Sequence, residues 1–443
     1  MINRQTVTHL FVLFFAGLLV FGCKQGTTEP PQAPDASQAK ADLVFDWYKL
    51  MAKLELRNNP QPVILANNRN YAYVGVGLYE AVRPGLRGAE GLSSKLYQMP
   101  AMPAPAQGQD FVWGASANAA LASLFKQLFV NLSAADKVRI DSLETAYNDK
   151  LTAVAGRAAV DQSQAFGRSV ATTIYNWSST DNFNLSSQGY VLPVFPGSWV
   201  LTPPAFAAPV GCYLKDSRPF LASSLTATAP PLPFPYSENP SSAFYQEAMA
   251  VYQSGRTLTS DQRDIARWWA DAGGAGVGVP APYHTLSIVA QVMASKQATL
   301  GQVVEAYAKV GIAMKDGPIN TFRAKYQYNL IRPVTYINRN IDPTWVALLA
   351  TPPYPEYPSG LVGITAPVMQ VLVREFGDIP VTDNAYGWRG SAPRQYASIS
   401  QMMEEQSISR IYAGFHYPST QTISLQVGRS LGNTIADLKL LPK

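Results

Sequence analysis

Apolar positions recur at three- and four-residue intervals along most of this chain, the period of a helix buried on one face. Residues 44–57 and 63–83 carry that spacing, and residues 110–130 form an alanine-rich apolar stretch of the same kind. Ser133-Ala-Ala-Asp136 has the form of a capping box that opens another helix, and residues 156–177 continue the series. From 178 to 242 the pattern changes to Pro, Gly and aromatic residues, as in Pro196-Gly197-Ser198-Trp199 and Thr202-Pro203-Pro204. A long irregular segment inside a compact protein is usually functional or a wrapping arm. Helical spacing resumes at 242 and runs to 437, with breaks expected near Pro280, Pro318, Pro343 and 352–358. Neither a β-hairpin series, an internal repeat nor a glycine-rich nucleotide loop is visible. The fold class expected is all-α, a helical bundle with one long Pro/aromatic-rich loop region.

Composition narrows the function classes. The 443 residues are 47% hydrophobic and 15% charged, enough to build a large core. The net charge of +5 is small for this length and is not gathered in runs, so nucleic-acid binding is not expected. The two cysteines, Cys23 and Cys212, exclude a disulfide framework or a cysteine-based zinc site. Of the three histidines, His9 lies in the leader, so imidazole chemistry rests on His284 or His416.

The start of the chain reads as an export signal. Arg4 precedes an apolar run from Leu10 to Phe21, too short to span a bilayer comfortably, followed by Gly22 and Cys23. Val20-Phe21-Gly22-Cys23 resembles a bacterial lipobox, in which the cysteine is acylated and becomes the mature N-terminus. Residues 24–42, rich in Pro, Gln, Thr, Ser and Ala, then read as a flexible tether. The expected organisation is a signal over 1–23, the tether, and a helical domain over 43–443 with a helical half (43–177), an irregular arm (178–242) and a site-bearing half (243–443). Membrane contact is expected through the lipid anchor alone, with the protein exported to the cell envelope.

Three segments in the last third carry candidate chemistry. In Lys325-Tyr-Gln-Tyr-Asn-Leu-Ile-Arg332-Pro333, the cations seven apart fall within about 20° around a helix and can reach one anion. Pro333 disfavours helical geometry at Arg332, so the arginine should turn in where the helix ends. Tyr357-Pro358-Ser359-Gly360-Leu361 precedes an apolar helical run, placing free N–H groups and a hydroxyl at a helix N-terminus. In Ser409-Arg410-Ile-Tyr-Ala-Gly-Phe-His416-Tyr-Pro-Ser-Thr420, Arg410 offers a planar fork for an oxyanion. A break near Gly414 is needed to bring His416 beside it.

Together, the order and spacing of these segments resemble the three signature motifs of the vanadium-dependent haloperoxidase and type 2 phosphatidic acid phosphatase superfamily. Residues 311–316 and 351–357 further resemble its secreted bacterial haloperoxidase-like group. The resemblance implies that Lys325, Arg332 and Arg410 neutralise the equatorial oxygens of vanadate or phosphate, and that Ser359 and the Gly360 N–H add hydrogen bonds. It implies that His416 coordinates vanadium, or attacks phosphorus in a phosphatase. Vanadate is the implied cofactor, with phosphate or a phosphoester as the alternative small-molecule partner.

Two positions depart from the pattern. The histidine that ends the serine motif, the general acid–base, is Leu361 here, and the acid that orients the last histidine is Thr420. His284 is expected at the pocket edge or in a structural role, Cys212 is expected to be buried, and Glu356 reads as ordinary context of the serine motif. Expectation therefore divides between impaired haloperoxidase or phosphatase chemistry and a non-catalytic cell-surface protein that binds phosphate or a phosphorylated ligand.

Overall fold

The computed structural model describes residues 35–57, 64–106, 110–271 and 279–442. The chain divides into Met1–Gln32 and a second unit, Ala33–Lys443, to which everything below refers. The expected signal segment, Cys23 and the first part of the tether lie outside the described residues.

The helices fall where the apolar spacing places them. The first half holds α1 (Asp42–Arg57), α2 (Ile64–Val82), α3 (Trp113–Leu128), α4 (Ala134–Ala155) and α5 (Arg157–Ser178). The second half holds α6 (Ala243–Thr257), α7 (Ser260–Trp268), α8 (Ala281–Ser295), α9 (Leu300–Tyr328), α10 (Pro333–Asn340), α11 (Gly360–Phe376), α12 (Ile399–Tyr412) and α13 (Pro418–Ala436). The Ser133 capping box forms as read, with the Asp136 N–H donating to Ser133 Oγ at 3.1 Å. Among the described residues, no helix is long and apolar enough to cross a membrane. The only sheet among them is a short antiparallel pair, β1 (Val381–Asp383) and β2 (Arg394–Tyr396), with Thr382 opposite Gln395.

α9 is the axis of the bundle and packs against α2, α11 and α13. The break expected at Pro318 does not occur, because α9 continues through that proline. The missing N–H costs one backbone bond, but the helix is buried along almost its whole length, and packing outweighs that loss. Close approach of neighbouring backbones needs small residues. A side chain at Gly75 on α2 would meet the Tyr307 carbonyl oxygen at 2.2 Å, and one at Gly311 on α9 would meet that of Ala72 at 2.7 Å.

Residues 179–242 contain no α-helix, in line with the irregular arm expected from 178, yet they are fastened to α9. The backbone N–H groups of Phe220 and Leu221 donate to Asp316 at 2.6 and 2.9 Å, and Lys315 pairs with Asp181 at 2.5 Å. Further on, the Trp199 N–H donates to the Asn329 carbonyl at 2.6 Å and the Ile331 N–H to that of Gly197 at 2.8 Å. The arm therefore fixes the chain between Lys325 and Arg332. The tether expectation needs correction over 35–41, which lies packed on the body. Ala36 and Ala41 are buried, and the Leu300 N–H donates to the Ala39 carbonyl at 2.7 Å. Small side chains let this segment lie against the start of α9, where Gly301 leaves room for the Ser37 backbone.

Substitution Gly75→Ala forces α2 away from α9 and should lower unfolding free energy by about 1–3 kcal/mol, the usual cost of overpacking. Urea denaturation measures it; an unchanged midpoint would contradict so close a helix contact.

Candidate active site

Lys325 lies in the last turn of α9, which ends at Asn329 in a left-handed conformation (φ 46°). Arg332 then takes an extended backbone (φ −76°, ψ 150°) as the residue capping α10, the geometry that Pro333 imposes. Ser359 caps α11 without using its hydroxyl on that helix, while its own N–H donates to Ser424 Oγ at 2.9 Å. Arg410 belongs to the final turn of α12. The expected break follows at Gly414, whose φ of +84° is left-handed, and turns the chain so that His416 faces Arg332.

All these groups are buried. Lys325, Arg332 and Ser359 are fully enclosed, and Arg410 and His416 are 4% and 3% exposed. Tyr354 is their shared wall. Lys325 Nζ lies 4.8 Å and Arg332 Cζ 5.1 Å from its ring centroid, and a side chain at Gly360 would meet its hydroxyl at 3.1 Å.

The cations are held by backbone carbonyls. Arg332 Nε donates to the Tyr354 carbonyl and its Nη1 to that of Phe415, both at 3.0 Å. Arg410 Nη1 donates to the Trp269 carbonyl at 2.6 Å. What remains is a set of donors with no partner among the described residues: Arg332 Nη2, Arg410 Nε and Nη2, and Ser359 Oγ. Buried polar atoms are nearly always satisfied, so four unused groups on three converging side chains mark a place made for an acceptor. Lys325 departs from its expected role. Its ammonium donates to the carbonyls of Pro355 (2.9 Å), Glu356 (3.0 Å) and Pro358, so it shapes the loop and supplies charge while its N–H groups are already committed.

The electrostatics agree. Burial lowers the proton affinity of Lys325, and the Arg332 charge lowers it further. Burial likewise lowers Arg332, and it brings Arg410 down to about 10. His416 is held well below the usual histidine range by burial first, then by the charges of Arg332, Lys325 and Arg410. A neutral imidazole results. Arg332 Nη1, which can only donate, lies 3.3 Å from His416 Nε2, so that nitrogen keeps its lone pair on the cationic side.

The proton sits on Nδ1, which lies 2.7 Å from Glu356 Oε1. The sequence reading missed this contact. Thr420, standing where an acid was expected, donates its hydroxyl to Glu356 Oε2 at 2.9 Å, and the Tyr417 N–H donates to Oε1 at 3.1 Å. The carboxylate that orients His416 thus comes from the loop before Ser359. Burial pushes Glu356 up to about 7, against the pull of Arg332 and Lys325. Its signal in the sequence was only a carboxylate two residues from Pro358, with nothing to indicate a partner 60 residues away.

His284 is fully engaged elsewhere. Its Nδ1 lies 2.7 Å from Asp271 and its Nε2 2.8 Å from Asp383, while its ring stacks on Trp269 at 4.6 Å. Burial opposes the imidazolium, but the two carboxylates outweigh it and raise His284 to about 10. With both nitrogens occupied, His284 has no free proton-transfer position. Leu361, packed against the apolar core, offers none either. Cys212 is buried as expected. Among the described residues, no group of three or more His, Cys, Asp or Glu is arranged to hold a metal cation. The cluster presents positive charge and donors instead.

Comparisons with known proteins place this geometry. Residues 305–440, which contain all three motifs, match a family model described as the VCPO second helical-bundle domain. The structure is similar to that of a bacterial vanadium-dependent iodoperoxidase, with TM-score 0.81 and 28% identity over 93% of this chain and 99% of that one. A holo-type bacterial vanadium-dependent chloroperoxidase matches at TM-score 0.63 and 13% identity, over 91% of this chain and 98% of that one. An apo-type chloroperoxidase structure matches at TM-score 0.59 and 15% identity, over 85% and 92%. No curated protein matches. The match over residues 305–440 and the likeness to the bacterial iodoperoxidase support a place for this chain in the vanadium haloperoxidase superfamily, whose helical fold it shares.

Proposed function

We propose that the protein binds vanadate or phosphate between Arg332, Arg410, Ser359 and His416, with its catalysis weakened at one proton-transfer position. The observation that carries this reading is the set of buried, unused donors on Arg332, Arg410 and Ser359 beside the lone pair of His416 Nε2. Arg332 and Arg410 would hold oxyanion oxygens, Ser359 and the Gly360 amide would add hydrogen bonds, and Lys325 would contribute its charge. The residues fit vanadate as well as phosphate. A bound vanadate would supply Lewis-acid activation of a peroxide, with His416 Nε2 as its protein ligand.

The chain's own contribution follows from its charges. Glu356 holds the His416 proton on Nδ1 and so keeps Nε2 free as ligand or nucleophile. For a phosphoester, attack by Nε2 forms an N–P bond and breaks the P–O ester bond, and the departing oxygen must gain a proton. Leu361 cannot give it. General acid–base groups contribute about 100- to 10,000-fold in rate, so turnover should be slow rather than abolished, because the orienting carboxylate is retained. A cell-surface binding protein without turnover is the second reading, favoured by the loss at Leu361. The lipobox-like Cys23 supports an envelope lipoprotein, anchored by its acylated N-terminus.

Vanadate and phosphate should raise the melting temperature by relieving an uncompensated buried positive cluster. The double variant Arg332→Ala, Arg410→Ala should bind neither anion by calorimetry; retained affinity would refute the site. Leu361→His should raise halide oxidation or phosphomonoester hydrolysis by roughly 100-fold or more, and a natural protein already as fast would remove the case for impairment. Glu356→Gln leaves the anion donors in place but loses the orienting charge. It should lower kcat by at least about tenfold with anion affinity within about threefold, and unchanged kcat would deny Glu356 that function. Cys23→Ala should move the protein from the membrane fraction to the soluble one; continued membrane retention would refute the anchor.

A further inference from the structure

One buried acceptor stands at the edge of this donor-rich site. Asp271 is 4% exposed, and His284 occupies only its Oδ1. Its Oδ2 has no partner among the described residues. The Arg410 guanidinium lies alongside this segment, since its Nη1 donates to the Trp269 carbonyl two residues earlier. Burial lowers the proton affinity of Arg410, and Asp271 is the leading charge acting the other way, ahead of Tyr354 and the opposing Arg332. Asp271, Tyr354 and Arg332 are thus all within electrostatic reach of the Arg410 guanidinium. Its own Nε and Nη2 are unused. No ion pair joins Asp271 to Arg410 among the described contacts, so both keep hydrogen-bonding capacity for a third group in the same enclosed space.

We propose that Asp271 makes this site selective for protonated oxyanions, accepting a hydrogen bond from a phosphate or vanadate hydroxyl and thereby excluding sulfate. The inference rests on the oxyanion reading above and adds specificity to it. Apart from the His416 Nε2 lone pair, which the reading above reserves for the central atom, the other unused groups in the cluster are guanidinium N–H donors and the Ser359 hydroxyl, and such groups hold any tetrahedral oxyanion. A buried carboxylate oxygen changes that. Facing a bare anionic oxygen it is both unpaired and repelled, whereas facing an O–H it becomes a short charge-assisted acceptor. Near neutral pH phosphate and vanadate retain a hydroxyl and sulfate has none.

Asp271 is built for a fixed role. The His284 imidazolium donates to Oδ1, and His284 is itself held by Asp383 and by stacking on Trp269. Asp383 also accepts from Trp268 Nε1 at 2.7 Å. Oδ2 is thereby left as an acceptor of set direction. The serine-motif position that would carry a histidine in related proteins is Leu361, which offers this oxygen no partner.

The test is calorimetric titration of the purified protein with phosphate, vanadate and sulfate at neutral pH. The natural protein should bind sulfate roughly a hundredfold or more weaker than phosphate, as sites do that leave a buried polar group unpaired. Asp271→Asn, whose amide can donate to a bare oxygen, should bring sulfate to within about tenfold of phosphate. Asp383→Asn disturbs His284 to a similar extent but leaves Oδ2 in place, and should keep the preference. A folded Asp271→Asn protein with the natural preference overturns the proposal. Should that variant fail to fold, the natural protein decides alone, because equal affinity for sulfate and phosphate overturns it as well. Absence of binding for all three anions would instead overturn the oxyanion reading itself.

Discussion

Three cations enclosed in one helical core, each bolted to backbone carbonyls of a different segment, are the constraint on which the site depends. Lys325 gathers the 355–358 loop, Arg332 joins Tyr354 to Phe415, and Arg410 reaches Trp269. Removing such charges from water costs several kcal/mol each, and carbonyl dipoles repay only part of it. Glu356 and the more distant Asp271 are the carboxylates acting on the cluster. The folded protein therefore carries a deficit of negative charge at the cluster, which the proposed anion would relieve. The rest of the architecture serves to keep that deficit in place. The α9 axis packs closely enough to exclude water, the aromatic arm pins the chain after Asn329, and the Gly414 turn swings His416 inward.

A second theme is that charge can move along the chain while its function stays in space. The acid that orients His416 is absent from the position four residues on, where Thr420 stands. It arrives from Glu356, and Thr420 becomes its hydrogen-bond donor. Glu356 holds the imidazole nitrogen, and the Thr420 hydroxyl holds Glu356. The cations beside Glu356 moderate its rise in proton affinity.

What was legible in the sequence follows the range of the interactions. Helices were legible because their apolar period is local, and the Ser133 cap because both its partners lie within one turn. The turn-in at Arg332 and the break at Gly414 were legible because Pro333 and glycine act on their own backbone. Pro318 misled because a local rule was overridden by packing along α9. Lys325 was placed in the right cluster, but its partners are carbonyls 30 to 33 residues away that no side-chain pattern encodes. Glu356, Asp271 and Asp383 were missed for the same reason. Their meaning lies in histidines that only the fold brings to them.

The position of Leu361 shows why binding and turnover would separate in the proposed site. It occupies the first turn of α11, next to Ser359 and Gly360, and packs against the apolar core. An apolar side chain there carries no proton, while the unused donors of Arg332, Arg410 and Ser359 remain. In the proposed site, affinity would rest on the cations that the helices enclose and rate on a side chain at one helix end, so the second could change while the first persists.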